Sequence, residues 1–120
     1  MASILIVDDD KPIRNLLRRI LEEDGHQIRE AENGERALIL YREAPADLVI
    51  TDILMPERDG IEVILALTRE FLDARVIAMT GAAGTLNVLD VAKLFGARSI
   101  IKKPFAVEEI RRLVRFTLEH

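Results

Sequence analysis

Ile4-Leu5-Ile6-Val7-Asp8-Asp9-Asp10 is the stretch that decides the fold. An apolar, mostly β-branched run of this length predicts a short strand buried on both faces. Acids follow where that strand should end. The pattern recurs. Leu48-Val49-Ile50-Thr51 runs into Asp52 and then Ile53-Leu54-Met55-Pro56; Val76-Ile77-Ala78-Met79 runs into Thr80-Gly81; Ile100-Ile101-Lys102 runs into Lys103-Pro104-Phe105. In a parallel sheet the C-terminal strand ends share one edge, and ligands bind in the crevice outside it. The Asp8-Asp9-Asp10 acids, Asp52, Thr80 and the lysines before Pro104 should therefore converge. Clustered carboxylates bind a hard cation, and a lysine and a hydroxyl beside them suit a phosphoryl group.

The segments between the apolar runs carry helical periodicity, so strand and helix alternate five times, which predicts βαβ units. Pro12 suits a first helical turn, Asp10 can cap it, and Ile13, Leu16, Leu17, Ile20 and Leu21 share a face. Gly25 ends that helix. Gln27 to Ala31 reads as a strand, Asn33-Gly34 as a turn into a helix through Ala37, Leu38 and Tyr41, and Pro45 as its break. Pro56 to Gly60 reads as a loop. Ile61, Ile64, Leu65 and Thr68 predict the face of the next helix, and Val107, Ile110, Leu113, Val114 and Thr117 that of the last. Gly81-Ala82-Ala83-Gly84 is a permissive connector to a helix through Leu86, Leu89 and Phe95, which Gly96 ends.

The 120 residues make one domain, with hydrophobic residues at 49% and aromatics at only 4%, so the core is aliphatic. Without cysteine there is no disulfide, thiolate metal site or cysteine nucleophile. A net charge of −4, from 17 basic and 21 acidic residues, gives no footprint for nucleic acid. The first apolar run stops at Asp8, too short for a signal peptide or a membrane span, so a cytoplasmic protein with no membrane partner is expected. Residues 1–117 read as the domain. Leu118-Glu119-His120 matches the start of a histidine-tag scar as well as a native end.

The ordered set of an acidic pair after the first strand, D-x-x-M-P after the third, Thr after the fourth and K-P-F after the fifth resembles the receiver domain of two-component response regulators. The resemblance covers essentially the whole chain. It implies a flavodoxin-like (βα)5 fold, a doubly wound five-stranded parallel sheet in the order 2-1-3-4-5. It implies that Asp52 is the phosphoacceptor, taking phosphate from a sensor histidine kinase or a histidine phosphotransfer protein. The domain would catalyse only its own phosphorylation and dephosphorylation, and would switch a partner or output domain. Mg²⁺ is the implied cofactor, held by Asp9, Asp52 and the backbone carbonyl of Leu54, with Asp8 acting mainly through a bound water. Lys103, directly before the proline, is the implied phosphate-binding lysine, and Thr80 the hydroxyl beside it. Lys102 points to the other side of the strand. The Lys103–Pro104 bond should be cis, a form taken by about 5–6% of X–Pro bonds in folded proteins. Before any ion binds, Lys103 should pair with Asp52 or Asp9.

Some positions depart from the family pattern. Ile100 stands where receivers often carry Tyr or Phe, which removes the ring from any rotameric coupling. Leu54 and Ala82 flank the path of hydrolytic water and can orient none. Arg98-Ser99-Ile100 replaces the acidic pair before an aromatic, so dimerisation through the last strand and its helices is not expected. Met55 and Met79 read as core, His26 as an exposed loop residue, and Arg111-Arg112 as a solvated face. A haloacid-dehalogenase-like phosphatase would need a second acid at Leu54. A flavodoxin-like FMN carrier would need a phosphate loop where Asp8, Asp9 and Asp10 repel phosphate. A receiver-like binding module without phosphorylation would be expected to lack a motif residue, and none is missing.

Overall fold

In the computed structural model, residues 1–53, 60–80, 93 and 96–120 are described. Among them run β1 (Ser3–Val7), α1 (Lys11–Glu23), β2 (Gln27–Ala31), α2 (Gly34–Glu43), β3 (Leu48–Asp52), α3 (Gly60–Glu70), β4 (Val76–Thr80), β5 (Ser99–Lys102) and α4 (Val107–Glu119). The strands form one parallel sheet in the order β2-β1-β3-β4-β5. This is the doubly wound, flavodoxin-like arrangement expected. β1, β3 and β4 lie inside and are apolar on both faces, whereas β2 and β5 lie outside and carry exposed positions.

Strand alternation divides the core in two. Leu5, Val7, Val49, Val76 and Ala78 face α2 and α3 through Ala37, Leu38, Tyr41, Val63, Ile64 and Leu67. Ile4, Ile6, Ile50, Ile77, Met79 and Ile101 face α1 and α4 through Leu17, Ile20, Leu21, Ile110 and Val114. The ring edge of Tyr41 meets Phe71 at a centroid distance of 4.8 Å, a rare aromatic contact in an aliphatic core. Behind β5, a buried pair of hydroxyls, Ser99 Oγ and Thr117 Oγ1, lies 2.9 Å apart.

Local signals account for most boundaries. Asn33 caps α2 by accepting from the Arg36 N–H, and Ala44, extended before Pro45, ends it. Gly25 takes φ +89° after α1. Gly96 takes φ +121°, and a Cβ there would lie 2.6 Å from Thr68 Cγ2, so only glycine lets this turn pass α3.

Several side chains depart from expectation. Asp10 stands at the N-cap of α1, but its side chain makes no cap bond. Its backbone N–H instead donates to Asp8 Oδ1 at 2.9 Å. Leu16 and Val107, at the margins of their helical faces, are exposed. α3 buries Val63, Ile64 and Leu67, one position round from the expected face, because these three lie opposite the exposed charges of Glu62 and Arg69. Arg111 is not a solvated residue. It joins α4 to the end of α1 through Glu23 at 2.8 Å and Asp24 at 3.3 Å, while Arg112 is exposed as expected.

His26 is half-buried, and its Nδ1 accepts the Ala2 N–H at 3.1 Å, fixing the lead into β1. Burial and the nearby amino terminus hold it below the ordinary histidine value of 6.5, against the pull of Asp24. The unfolded chain therefore takes up this proton first as pH falls. The stabilisation is complete above about 6.5 and is lost as pH drops through the lowered folded value. Urea midpoints at pH 8 and pH 5 should differ more for the wild type than for His26→Gln. Equal differences would remove His26 from the acid sensitivity.

Candidate functional site

The register sets the C-terminal strand ends side by side: Val7 opposite Thr51, Asp52 opposite Met79, and Thr80 opposite Lys102. One residue beyond β1, Asp8 is fully buried; Asp52 is 7% exposed and Thr80 1% exposed. Asp9 turns outward to solvent. Carboxylate oxygens of Asp8, Asp9 and Asp52 lie within 4.8 Å of one another. Of the expected site residues, Asp8, Asp9, Asp52, Thr80 and Lys103 come together. Leu54 and Met55 lie outside the described residues, as do Gly81 to Gly84, Leu86, Leu89 and Phe95.

Lys103 organises the cluster. Its Nζ donates to Asp8 Oδ2 at 2.8 Å and to Asp52 Oδ2 at 3.0 Å. The partner beside Asp52 is thus Asp8 and not Asp9, because Asp8 is the inward-turned acid of the pair. The backbone N–H of Lys103 donates to the Thr80 carbonyl at 2.7 Å, and the Lys103–Pro104 bond is cis. Burial pulls the lysine pKa down, but the bonds and charges of Asp8 and Asp52 outweigh it and hold the ammonium above the usual lysine value of 10.5. Lys102 faces outward.

The Thr80 hydroxyl is buried and has no hydrogen-bond partner among the described residues. A buried hydroxyl left unpaired costs about 1–3 kcal/mol, so a group arriving here that accepts its hydrogen bond recovers that cost. Ile100 is half-buried against the α2–α3 core cluster. Sequence reasoning passed over Arg14 and Glu30, which brace the backbone of Asp8 from behind. Their available signal was a pair of charged residues inside a five-residue strand, with Arg14 and Arg18 four positions apart on the preceding helix α1.

The donor set is all oxygen and anionic, the chemistry of Mg²⁺ or Ca²⁺ and not of a soft metal. An octahedral Mg²⁺ with oxygens at about 2.1 Å places opposite ligands about 4.2 Å apart. Carboxylate oxygens within 4.8 Å of one another are on that scale, so the residues fit a divalent ion.

Residues 4–115 match the response regulator receiver domain family. Sporulation initiation phosphotransferase F of Bacillus subtilis is 39% identical over 94% of this chain and 90% of its own length. The chemotaxis protein CheY of Halobacterium salinarum is 44% identical over 86% and 85%. Among solved structures, response regulator TrrA of Thermotoga maritima in complex with Mg²⁺-BeF is 36% identical with a TM-score of 0.88, over 98% of this chain and 99% of that one. With sequence, topology and an acidic pocket suited to a phosphoacceptor aspartate all in agreement, the chain belongs to the receiver domains of response regulators.

Proposed function

We propose that Asp52 accepts a phosphoryl group from the phosphohistidine of a sensor kinase or phosphotransfer protein, and that the domain switches an output partner in response. The observation that carries this reading is the single ammonium of Lys103 bridging buried Asp8 and Asp52, with the Thr80 hydroxyl, unpartnered among the described residues, on the next strand. An oxygen of Asp52 attacks phosphorus. The phosphorus–nitrogen bond of the donor breaks as the phosphorus–oxygen bond forms, its electron pair passing to nitrogen, and the imidazole leaves neutral, keeping the proton already on its other ring nitrogen. Lys103 stays on the transferred group, balancing its equatorial oxygens, and the Thr80 hydroxyl donates to one of them. Asp9, Asp52 and the Leu54 carbonyl would hold Mg²⁺, with Asp8 reaching it through water. The ion would supply positive charge that lowers the repulsion between a dianionic phosphoryl group and the carboxylates.

Both oxygens of Asp8 are already engaged, by the Asp10 N–H and by Lys103, which supports an indirect part for Asp8 and a direct one for the freer Asp9. The receiver unit is taken as residues 1–117, working in the cytoplasm. No helix among the described residues is long and apolar enough to cross a membrane.

Incubation with a small phosphodonor and Mg²⁺ should add one phosphate by intact mass, labile to hydroxylamine, and a chelator should stop the addition. Asp9→Ala should weaken Mg²⁺ binding more than Asp10→Ala. Equal affinities for wild type and Asp9→Ala in a titration would reject the ligand assignment.

A further inference from the structure

Each polar group of Asp8 has a fixed partner. The N–H donates to the Ala31 carbonyl at 3.1 Å, Oδ1 accepts from the Asp10 N–H, Oδ2 accepts from Lys103, and the carbonyl accepts from Arg14 Nη1 at 2.6 Å. The last bond differs from the others in coming from a side chain of α1 that is itself held by β2. Arg14 Nε donates to Glu30 Oε1 at 3.0 Å, and the second oxygen of Glu30 accepts from Arg18 Nε at 2.5 Å. Arg18 in turn donates to the Ile28 carbonyl at 3.2 Å. The Arg14 side chain is only 13% exposed. Burial opposes the charge on Glu30, but the two arginines overcome it and hold the carboxyl below its usual value.

This is a two-ended brace. One end of the Arg14 fork rests on β2 and the other on the carbonyl that opens the acidic turn. A peptide unit is planar, so fixing the Asp8 oxygen fixes the direction in which the chain enters Asp9. Asp9 itself is exposed, and its placement depends on that backbone.

We propose that Arg14, oriented by Glu30, is a positioning residue that holds the Asp8–Asp9 peptide where Asp9 and Asp52 can share one divalent cation. This rests on the metal reading above. Partners one step removed from the ligands typically change metal affinity by about 10- to 100-fold. A simple charge effect predicts the opposite sign, because removing a nearby cation should tighten Mg²⁺ binding. Lysine separates the two further. It keeps the charge, but its single ammonium cannot reproduce a planar fork that serves Glu30 and the Asp8 carbonyl together.

The test is a calorimetric Mg²⁺ titration of the full chain, with amide spectra confirming the fold of each variant. Arg14→Ala and Arg14→Lys should each raise Kd about tenfold. Glu30→Gln should raise it less, and the Arg14→Ala/Glu30→Gln pair should match Arg14→Ala alone, since Glu30 acts through Arg14. If Arg14→Ala does not fold, Arg14→Lys and Glu30→Gln carry the same comparison. Unchanged or tighter binding in Arg14→Ala, wild-type affinity in Arg14→Lys, or additive losses in the pair would overturn the proposal while leaving the metal reading in place. A wild-type protein that binds no Mg²⁺ would overturn both.

Discussion

Asp52→Asn should lose the phosphate adduct altogether, with a phosphorylation rate at least about a hundredfold below the wild type. Asparagine keeps the shape of the side chain and a carbonyl oxygen for Lys103. It removes the anionic nucleophile, because a neutral amide oxygen does not form a stable acyl phosphate. The fold should survive. Asp52 lies at the end of a strand whose other side chains are buried in the core, and Asp8 still balances the ammonium of Lys103. Intact mass after a fixed exposure to phosphodonor and Mg²⁺ reads the outcome directly. An adduct forming at the wild-type rate would place the nucleophile on another residue.

Lys103→Met should be the most destabilising single change at the site. The methionine fills much of the same volume, so the loss is one of charge. It leaves Asp8, fully buried, beside Asp52 without the ammonium that bridges them. Breaking a buried pair from one side typically costs about 3–5 kcal/mol. Lys103 keeps 17% of its side chain exposed, so water reaches the pair and about 2–3 kcal/mol is expected. The raised lysine value fixes the pH window. The stabilisation is fully present below the ordinary 10.5 and is lost as pH rises through the higher folded value. Urea unfolding at neutral pH checks the magnitude. Adding Asp8→Asn to Lys103→Met should restore much of the loss by removing the orphaned charge. A single variant as stable as wild type would mean that the bridge contributes nothing.

What the sequence made legible follows from the range over which its signals act. Strand ends are local events, so Asp8, Asp52, Thr80 and Lys103 could be placed on one edge from their position after apolar runs. β2 was readable with the bounds Gln27–Ala31, because a glycine before it and an Asn-Gly turn after it punctuate a short segment. The face of α3 was readable only in part, since Glu62 and Arg69 mark the outward side opposite Val63, Ile64 and Leu67, but the apolar Ile61 and Leu65 beside that side blur its edge. The partner of Lys103 was half readable. Which of two adjacent acids turns inward depends on the path of a turn braced by Arg14, and that brace depends on Glu30, sixteen residues away. Arg111 failed for the same reason: its partners Glu23 and Asp24 lie at the end of α1, far off in sequence.

The outer strands bear on how this molecule behaves when crowded. A parallel sheet with two open sides offers unpaired backbone groups to any second sheet that comes near, a known route to aggregation. Here one side is a five-residue strand carrying Arg29 and Glu30, and the other a four-residue strand ending in the exposed Lys102. Arg29 also folds back over α2, donating to the Leu40 and Ala44 carbonyls. Short length and fixed charge make both borders poor templates for strand addition. Glu30, which anchors the Arg14 brace, thus lies on a border that also discourages self-association, and weakening it would expose the protein to both losses at once.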